Sequence, residues 1–165
     1  MYSIDKILIE NKRRNDILDA PYNPFAGVGG PVERQQVMFS DWQKPIWLPV
    51  QMLNVQWVNF LVSSFSSFAD AINALQITYD ELMFNLTFER FRHDFEFWSA
   101  SAIKILDKDK FVDIPFILRS AQRLLLAEIE QIRLANEPIR IDLLKARQWG
   151  GSTLVQIYMM WIQQI

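Results

Sequence analysis

The chain of 165 residues contains no cysteine and a single histidine, His93. Without cysteine there is no disulfide framework, no thiol nucleophile and no thiolate metal site. One histidine excludes a multi-histidine zinc centre within the chain, and a Ser-His-Asp triad would have to use that one residue. Charge of one sign is missing too. With 17 Lys+Arg against 19 Asp+Glu the net charge is −2, so no global cationic field drives sequence-independent nucleic-acid binding and any DNA contact has to be local. Asp5, Lys6, Glu10 and the Lys12-Arg13-Arg14 run interrupt any apolar core of a signal peptide. What is present is apolar bulk. Half the residues (50%) are hydrophobic and 13% aromatic, with 12 Phe and 6 Trp, the composition of one soluble, core-forming unit of cytoplasmic type.

Along the chain, Met1 to Leu18 reads as a short amphipathic helix carrying Ile4, Ile7, Leu8 and Leu18. The stretch Pro21 to Pro31 concentrates turn formers and reads as a loop. Its glycines are an ordinary connector rather than a phosphate loop, because no strand precedes them and proline follows. From Pro45 to Ala69 there is no charged residue, but Gln51, Asn54, Gln56, Asn59 and four serines are too polar for a lipid-facing span. Leu53, Trp57, Phe60, Leu61, Ser64 and Phe68 instead recur at helical spacing and predict a buried soluble helix. A further helix is expected from Tyr79 to Trp98, in which Glu89 to Trp98 reads as a solvated, salt-bridged face opposite an aromatic one rather than as a metal or acid-base site. Ala102–Leu106 and Phe111–Phe116 alternate apolar residues on either side of the polar Asp107-Lys-Asp-Lys110, which predicts a β-hairpin. Ser120 can cap a helix through Ala135 that Pro138 ends.

The chemistry is concentrated after Pro138. A short apolar run to Leu144 suits a buried strand; a loop then ends in Gly150-Gly151-Ser152-Thr153 and enters a strongly apolar helix. Strand, glycine-bearing loop, hydroxyl pair and helix follow in the order of a P-loop, whose backbone N–H groups and helix N-terminus hold phosphate oxygens. Against G-x-x-x-x-G-K-[ST], Gly150 and Ser152 match, Lys145 stands at the first glycine position and Gly151 at the lysine position. A phosphate site needs a cation, and Lys145 or Arg147 in the same loop can supply it.

The segment Lys145-Ala-Arg-Gln-Trp-Gly-Gly-Ser-Thr-Leu154 resembles the variant Walker A loop of the large terminase subunit of tailed bacteriophages. Upstream, Ile114-Pro-Phe-Ile-Leu-Arg-Ser-Ala-Gln122-Arg is similar to the family segment that contributes a glutamine to adenine recognition. The resemblance spans about Phe91 to Ile165. It implies an ATPase that drives viral double-stranded DNA into the prohead, with the portal protein and the small terminase subunit as partners, in the cytoplasm of a bacterial host. It also implies a C-terminal nuclease in the complete protein. On this reading ATP phosphates meet Lys145, Arg147, Gly150, Gly151, Ser152 and Thr153, Ser152 ligates Mg²⁺, and Gln122 reads adenine.

The expected fold is mainly α with a small β component. A helical N-terminal region, 1–100, precedes 101–165, which holds a β-hairpin and the first strand–P-loop–helix unit of an incomplete α/β P-loop domain. No Walker B strand follows Thr153 and the apolar helical pattern runs to Ile165 without a stop signal. The chain is therefore expected to be the N-terminal part of such a subunit, inactive in hydrolysis by itself. Its last helix should expose an apolar patch and promote homo-oligomers. The competing expectation is a non-enzymatic helical interaction module in which Gly-Gly-Ser-Thr is a structural helix start.

Overall fold

A computed structural model describes residues 32–43, 45–107, 111–144 and 149–164. The expected helix at Met1–Leu18 and the Pro21–Pro31 loop lie outside the described residues, as do Lys145 and Arg147. The fold is mainly helical with two small antiparallel sheets. Strands β1 (Arg34–Val37) and β2 (Ile46–Pro49) pair with Arg34 opposite Pro49 and Val37 opposite Ile46. Helices α1 (Val50–Leu53), α2 (Gln56–Ser64), α3 (Phe68–Leu75), α4 (Tyr79–His93) and α5 (Phe95–Ala102) follow. Then come β3 (Lys104–Leu106), β4 (Asp113–Pro115), α6 (Ser120–Leu134) and α7 (Gly151–Gln164).

The hairpin expected between residues 102 and 116 forms, with Ile105 opposite Ile114. The uncharged stretch from Pro45 makes no continuous helix. Pro49 ends β2, and α1, α2 and α3 are separated at Asn54–Val55 and at Phe65–Ser67. Ser67 then caps α3 by accepting the Asp70 N–H at 3.0 Å. Asp41 reinforces that helix start, since its two carboxylate oxygens accept the N–H groups of Phe68 and Ala69, each at 3.0 Å. These bonds, Phe68 first, hold the Asp41 carboxyl below its ordinary pKa. Among the described residues no helix is long and apolar enough to cross a membrane.

Helix α4 opens with a capping box: Thr78 Oγ1 accepts the Glu81 N–H at 3.2 Å and Glu81 Oε2 accepts the Thr78 N–H at 2.8 Å. Acidic Asp80 and Glu81 in its first turn and basic Arg90, Arg92 and His93 in its last complement the helix dipole. The single helix expected to reach Trp98 is broken at Asp94, whose backbone leaves the helical region and whose carboxylate caps α5 through the Phe97 N–H at 3.1 Å. Helix α6 starts at Ser120, so the expected cap position moves to Arg119; it ends by Ala135, and Asn136 turns left-handed at φ 58° ahead of Pro138.

Among the described residues the buried apolar side chains fall into two cores. Val37, Phe39, Leu48, Met52, Val58, Leu61, Phe68, Leu82 and Leu86 form the first. Phe95, Trp98, Phe116, Leu118, Leu125, Leu126, Ile129, Leu154, Ile157, Tyr158 and Trp161 form the second, into which α7 sends one face. Its other face leaves Val155, Met159 and Ile162 exposed, at 37%, 55% and 49%, so α7 finds cover against helices rather than a sheet and retains part of the expected apolar patch.

The charged residues between the cores overturn the expectation of a solvated helix face. Asp94 is 0% exposed, Glu96 2% and Arg90 6%. Arg34 from β1 reaches Asp94 at 2.8 Å and Glu96 at 3.9 Å, Arg90 meets Asp94 at 3.0 Å, and Arg123 from α6 approaches Glu96 at 3.7 Å. Buried charge needs such partners; Arg90 is local to Asp94, and Arg34 and Arg123 come from segments remote in sequence.

Candidate functional site

Residue 149 onward brings the site to the start of α7. Gly150 has φ +83°, a left-handed value that glycine adopts without the steric cost an L side chain incurs. Its carbonyl accepts the first α-helical bond, from the Leu154 N–H at 3.1 Å. The N–H groups of residues 151–153 therefore precede the helix ladder and carry the partial positive charge of its N-terminus. Ser152 and Thr153 in this first turn are exposed.

Gln122 comes to the same place from α6. Its Nε2 donates to Gly150 O at 3.0 Å across 28 residues of sequence, and its Oε1 accepts the Arg119 N–H at 2.9 Å. The side chain is buried, with 4% of the residue exposed. Two residues singled out separately in the sequence are thus in direct contact. The amide acts as a clamp between the α6 start and the α7 start. A primary amide carries a second N–H and a second lone pair beyond these two bonds.

Trp149 is the residue that sequence reasoning passed over. Its indole lies against Gly151 so closely that a methyl group there would overlap Cζ2, and a methyl on Gly150 would stand 2.7 Å from Gln122 Nε2. The adjacent glycines were the available signal that something approaches the backbone closely. The space they leave is filled by Trp149 and Gln122. Beside them opens an apolar groove of about 630 Å³ lined by Leu124, Leu125, Ile141, Leu143, Leu144 and Trp149 among others.

The strand expected to lead into this loop does not form. Residues 137–144 have no helix, turn or bend, pair with no strand among the described residues and are all exposed. An apolar run becomes a buried strand only where neighbouring strands offer a ladder and cover, and among the described residues none does.

Other polar groups converge behind α7. Arg133 makes two bonds to Glu130, at 2.9 and 2.7 Å, and its guanidinium stands over the Trp161 ring at 5.4 Å. The Tyr158 hydroxyl donates to Glu130 Oε1. Burial first, then this bond and the Glu130 charge, raise the Tyr158 hydroxyl above its ordinary pKa of 10.0. A folded-state pKa above the unfolded one means stability is fully present below about pH 10 and declines above it, as the unfolded chain ionises first. Tyr158→Phe is expected to flatten that alkaline decline by up to about 1.4 kcal/mol per pH unit, as read by urea denaturation at a series of alkaline pH values.

His93 is accounted for by Glu89, with Nε2 and Oε1 3.2 Å apart. Among the described residues no group of three or more His, Asp or Glu side chains is arranged for a metal ion. Comparison with protein-family models, with curated protein sequences and with solved structures returned no match.

Proposed function

We propose that the start of α7 is a variant phosphate loop that binds the triphosphate of ATP, as the opening of a DNA-packaging motor of the large-terminase-subunit type. The observation that carries this reading is the Gln122 Nε2 to Gly150 O bond. It joins the glutamine and the glycine loop that the family resemblance pairs functionally, at a helix start whose first-turn N–H groups suit an anion. Arg147 and Lys145 supply the phosphate cations on this reading. Gly150, Gly151, Ser152 and Thr153 present backbone N–H groups, and Gln122 offers its remaining N–H and lone pair to the adenine edge. With Ser152 as the one protein ligand, Mg²⁺ would complete its octahedron from phosphate oxygens and water.

Hydrolysis needs a carboxylate to position Mg²⁺ and the attacking water, and the residues assigned to this site include none, so the activity proposed for this stretch is nucleotide binding. In the working motor the partners are viral double-stranded DNA, the portal protein and the small terminase subunit, in the cytoplasm of an infected bacterium.

A second reading has its own support: Trp149 and Gln122 fill the space beside both glycines, which suits a helix start built for packing within an interaction module. Calorimetric titration with Mg²⁺ and a non-hydrolysable ATP analogue separates the two. Binding by the wild-type chain that weakens about tenfold or more in Arg147→Ala and in Ser152→Ala is expected, the scale of one lost charge-assisted hydrogen bond. Absence of binding at millimolar nucleotide by a chain whose circular dichroism shows it folded would leave the packing reading.

A further inference from the structure

We propose that residues 138–144 are an edge strand that pairs antiparallel with the same segment of a second copy of this chain, about a two-fold axis through Ile141. The inference is independent of phosphate binding. It starts from the eight residues 137–144, free of turns and bends, all exposed and without a ladder partner among the described residues. Their apolar members remain in water: Ile139 is 41% exposed, Ile141 37%, Leu143 41% and Leu144 105%. An unpaired run of this kind presents a row of N–H and C=O groups that templates another strand.

The sequence of the run selects the occupant. In a two-fold antiparallel pair centred on Ile141, Arg140 of each copy stands opposite Asp142 of the other. Ile139 stands opposite Leu143, and Ile141 opposite itself. Every charged position meets the opposite charge and every apolar position an apolar one, the pairs that stabilise a sheet. Neighbouring registers lose this. Centring on Arg140 or on Asp142 opposes two like charges, and a slip to a centre between residues sets charged side chains against apolar ones.

Pro138 fixes the hydrogen-bonding phase. With Ile141 as a hydrogen-bonded pair, residues 139, 141 and 143 exchange about six backbone bonds across the axis. Pro138 then falls at a non-hydrogen-bonded position, where its missing N–H costs nothing. The same phase places Arg140 and Asp142 in the closer, non-hydrogen-bonded pairs. Ile139, Ile141 and Leu143 share one face of the strand. Ile141 and Leu143 already line the apolar groove over α6, where Leu124 is 72% exposed, so a second strand laid alongside extends cover over that surface.

Sedimentation velocity without nucleotide tests the proposal, since Arg140 and Asp142 are exposed and their replacement leaves both cores intact. Arg140→Asp and Asp142→Arg each set like charges opposite one another twice per dimer. Each single variant is expected to weaken dimerisation at least about tenfold, and the double reversal to restore it to within about threefold. Because the chain has no cysteine, single-cysteine crosslinking gives a second readout. Hydrogen-bonded pairs place Cα atoms about 5.5 Å apart, inside the disulfide range, so Ile141→Cys is expected to form a covalent dimer under mild oxidation and Met159→Cys to remain monomeric on reducing-agent-free gels. A wild-type monomer at high micromolar concentration would overturn the proposal. So would a dimer indifferent to all three charge variants, or crosslinking through Met159→Cys in place of Ile141→Cys, either of which would assign association to the exposed face of α7.

Discussion

Asp94→Ala is expected to lower the unfolding free energy by about 3–5 kcal/mol, the cost of removing one partner from a buried ion pair. The carboxylate is 0% exposed and does three things at once. Its Oδ1 accepts from Arg34 Nη2 at 2.8 Å and from the Phe97 N–H at 3.1 Å, and its Oδ2 accepts from Arg90 Nε at 3.0 Å. Alanine leaves two guanidinium groups facing a space without their carboxylate and removes the N-cap of α5, itself worth about 1 kcal/mol. Asp94→Asn separates these contributions. Asparagine is a good cap and nearly isosteric, so its Oδ1 keeps the Phe97 bond, but it loses the charge and its Nδ2 cannot accept from Arg90; its cost should still fall below that of alanine, which loses the cap as well. Urea denaturation followed by tryptophan fluorescence measures both. A loss under 1 kcal/mol in Asp94→Ala would show that water reaches the arginines and that the charge cluster is solvated.

The same cluster connects the two cores. Arg34 comes from β1, which packs with the first core, and Asp94 and Glu96 flank the start of α5, which belongs to the second. Within the first core's own elements, Trp57 Nε1 donates to Glu89 Oε2 of α4 at 3.1 Å. Paired charges of the Arg34–Asp94 kind make the seam directional, because guanidinium and carboxylate groups meet in one arrangement, whereas apolar faces tolerate sliding.

Local patterns were legible in the sequence wherever the partner was also local. The β3–β4 hairpin could be read because its apolar alternation, its polar turn and its partner strand all lie within residues 102–116. The end of α6 was legible for the same reason, from Pro138 and the residues just before it. Asp94 was not, because an aspartate in an apolar, aromatic stretch reads equally as a helix surface residue or as a cap, and only the Phe97 N–H decides. The burial of Glu96 and Asp94 was hidden as well, since Arg34 stands 60 residues from Asp94 in sequence. Residues 138–144 show the converse: their apolar content suggested a strand, but a strand is a property of two segments, and the second is missing from the described residues. At the candidate site Gly150 and Gly151 were singled out from motif spacing and Gln122 from the family resemblance. Their mutual contact, and the indole of Trp149 against Gly151, depend on how α6 meets α7 and have no sequence signature.

Gly150→Ala is expected to destabilise the fold by about 2–4 kcal/mol, more than a glycine substitution in an exposed loop. Two causes add. A side chain at φ +83° carries a backbone strain of about 1–3 kcal/mol. The new methyl also stands 2.7 Å from Gln122 Nε2, which pushes the amide off Gly150 O and forfeits a buried hydrogen bond worth about 1 kcal/mol or more. Gln122→Ala removes the same bond and, in addition, leaves the Arg119 N–H without its acceptor, for about 1–3 kcal/mol by itself. In the double variant the methyl has room and the clamp is already gone. The combined loss should therefore be smaller than the sum of the single losses by about 1 kcal/mol or more, a coupling that residues in contact show and distant ones do not. Denaturation of the four proteins in urea gives the cycle directly. Strict additivity would mean that Gln122 and Gly150 act separately, and the clamp that orients the start of α7, with any phosphate site built on it, would have to be abandoned.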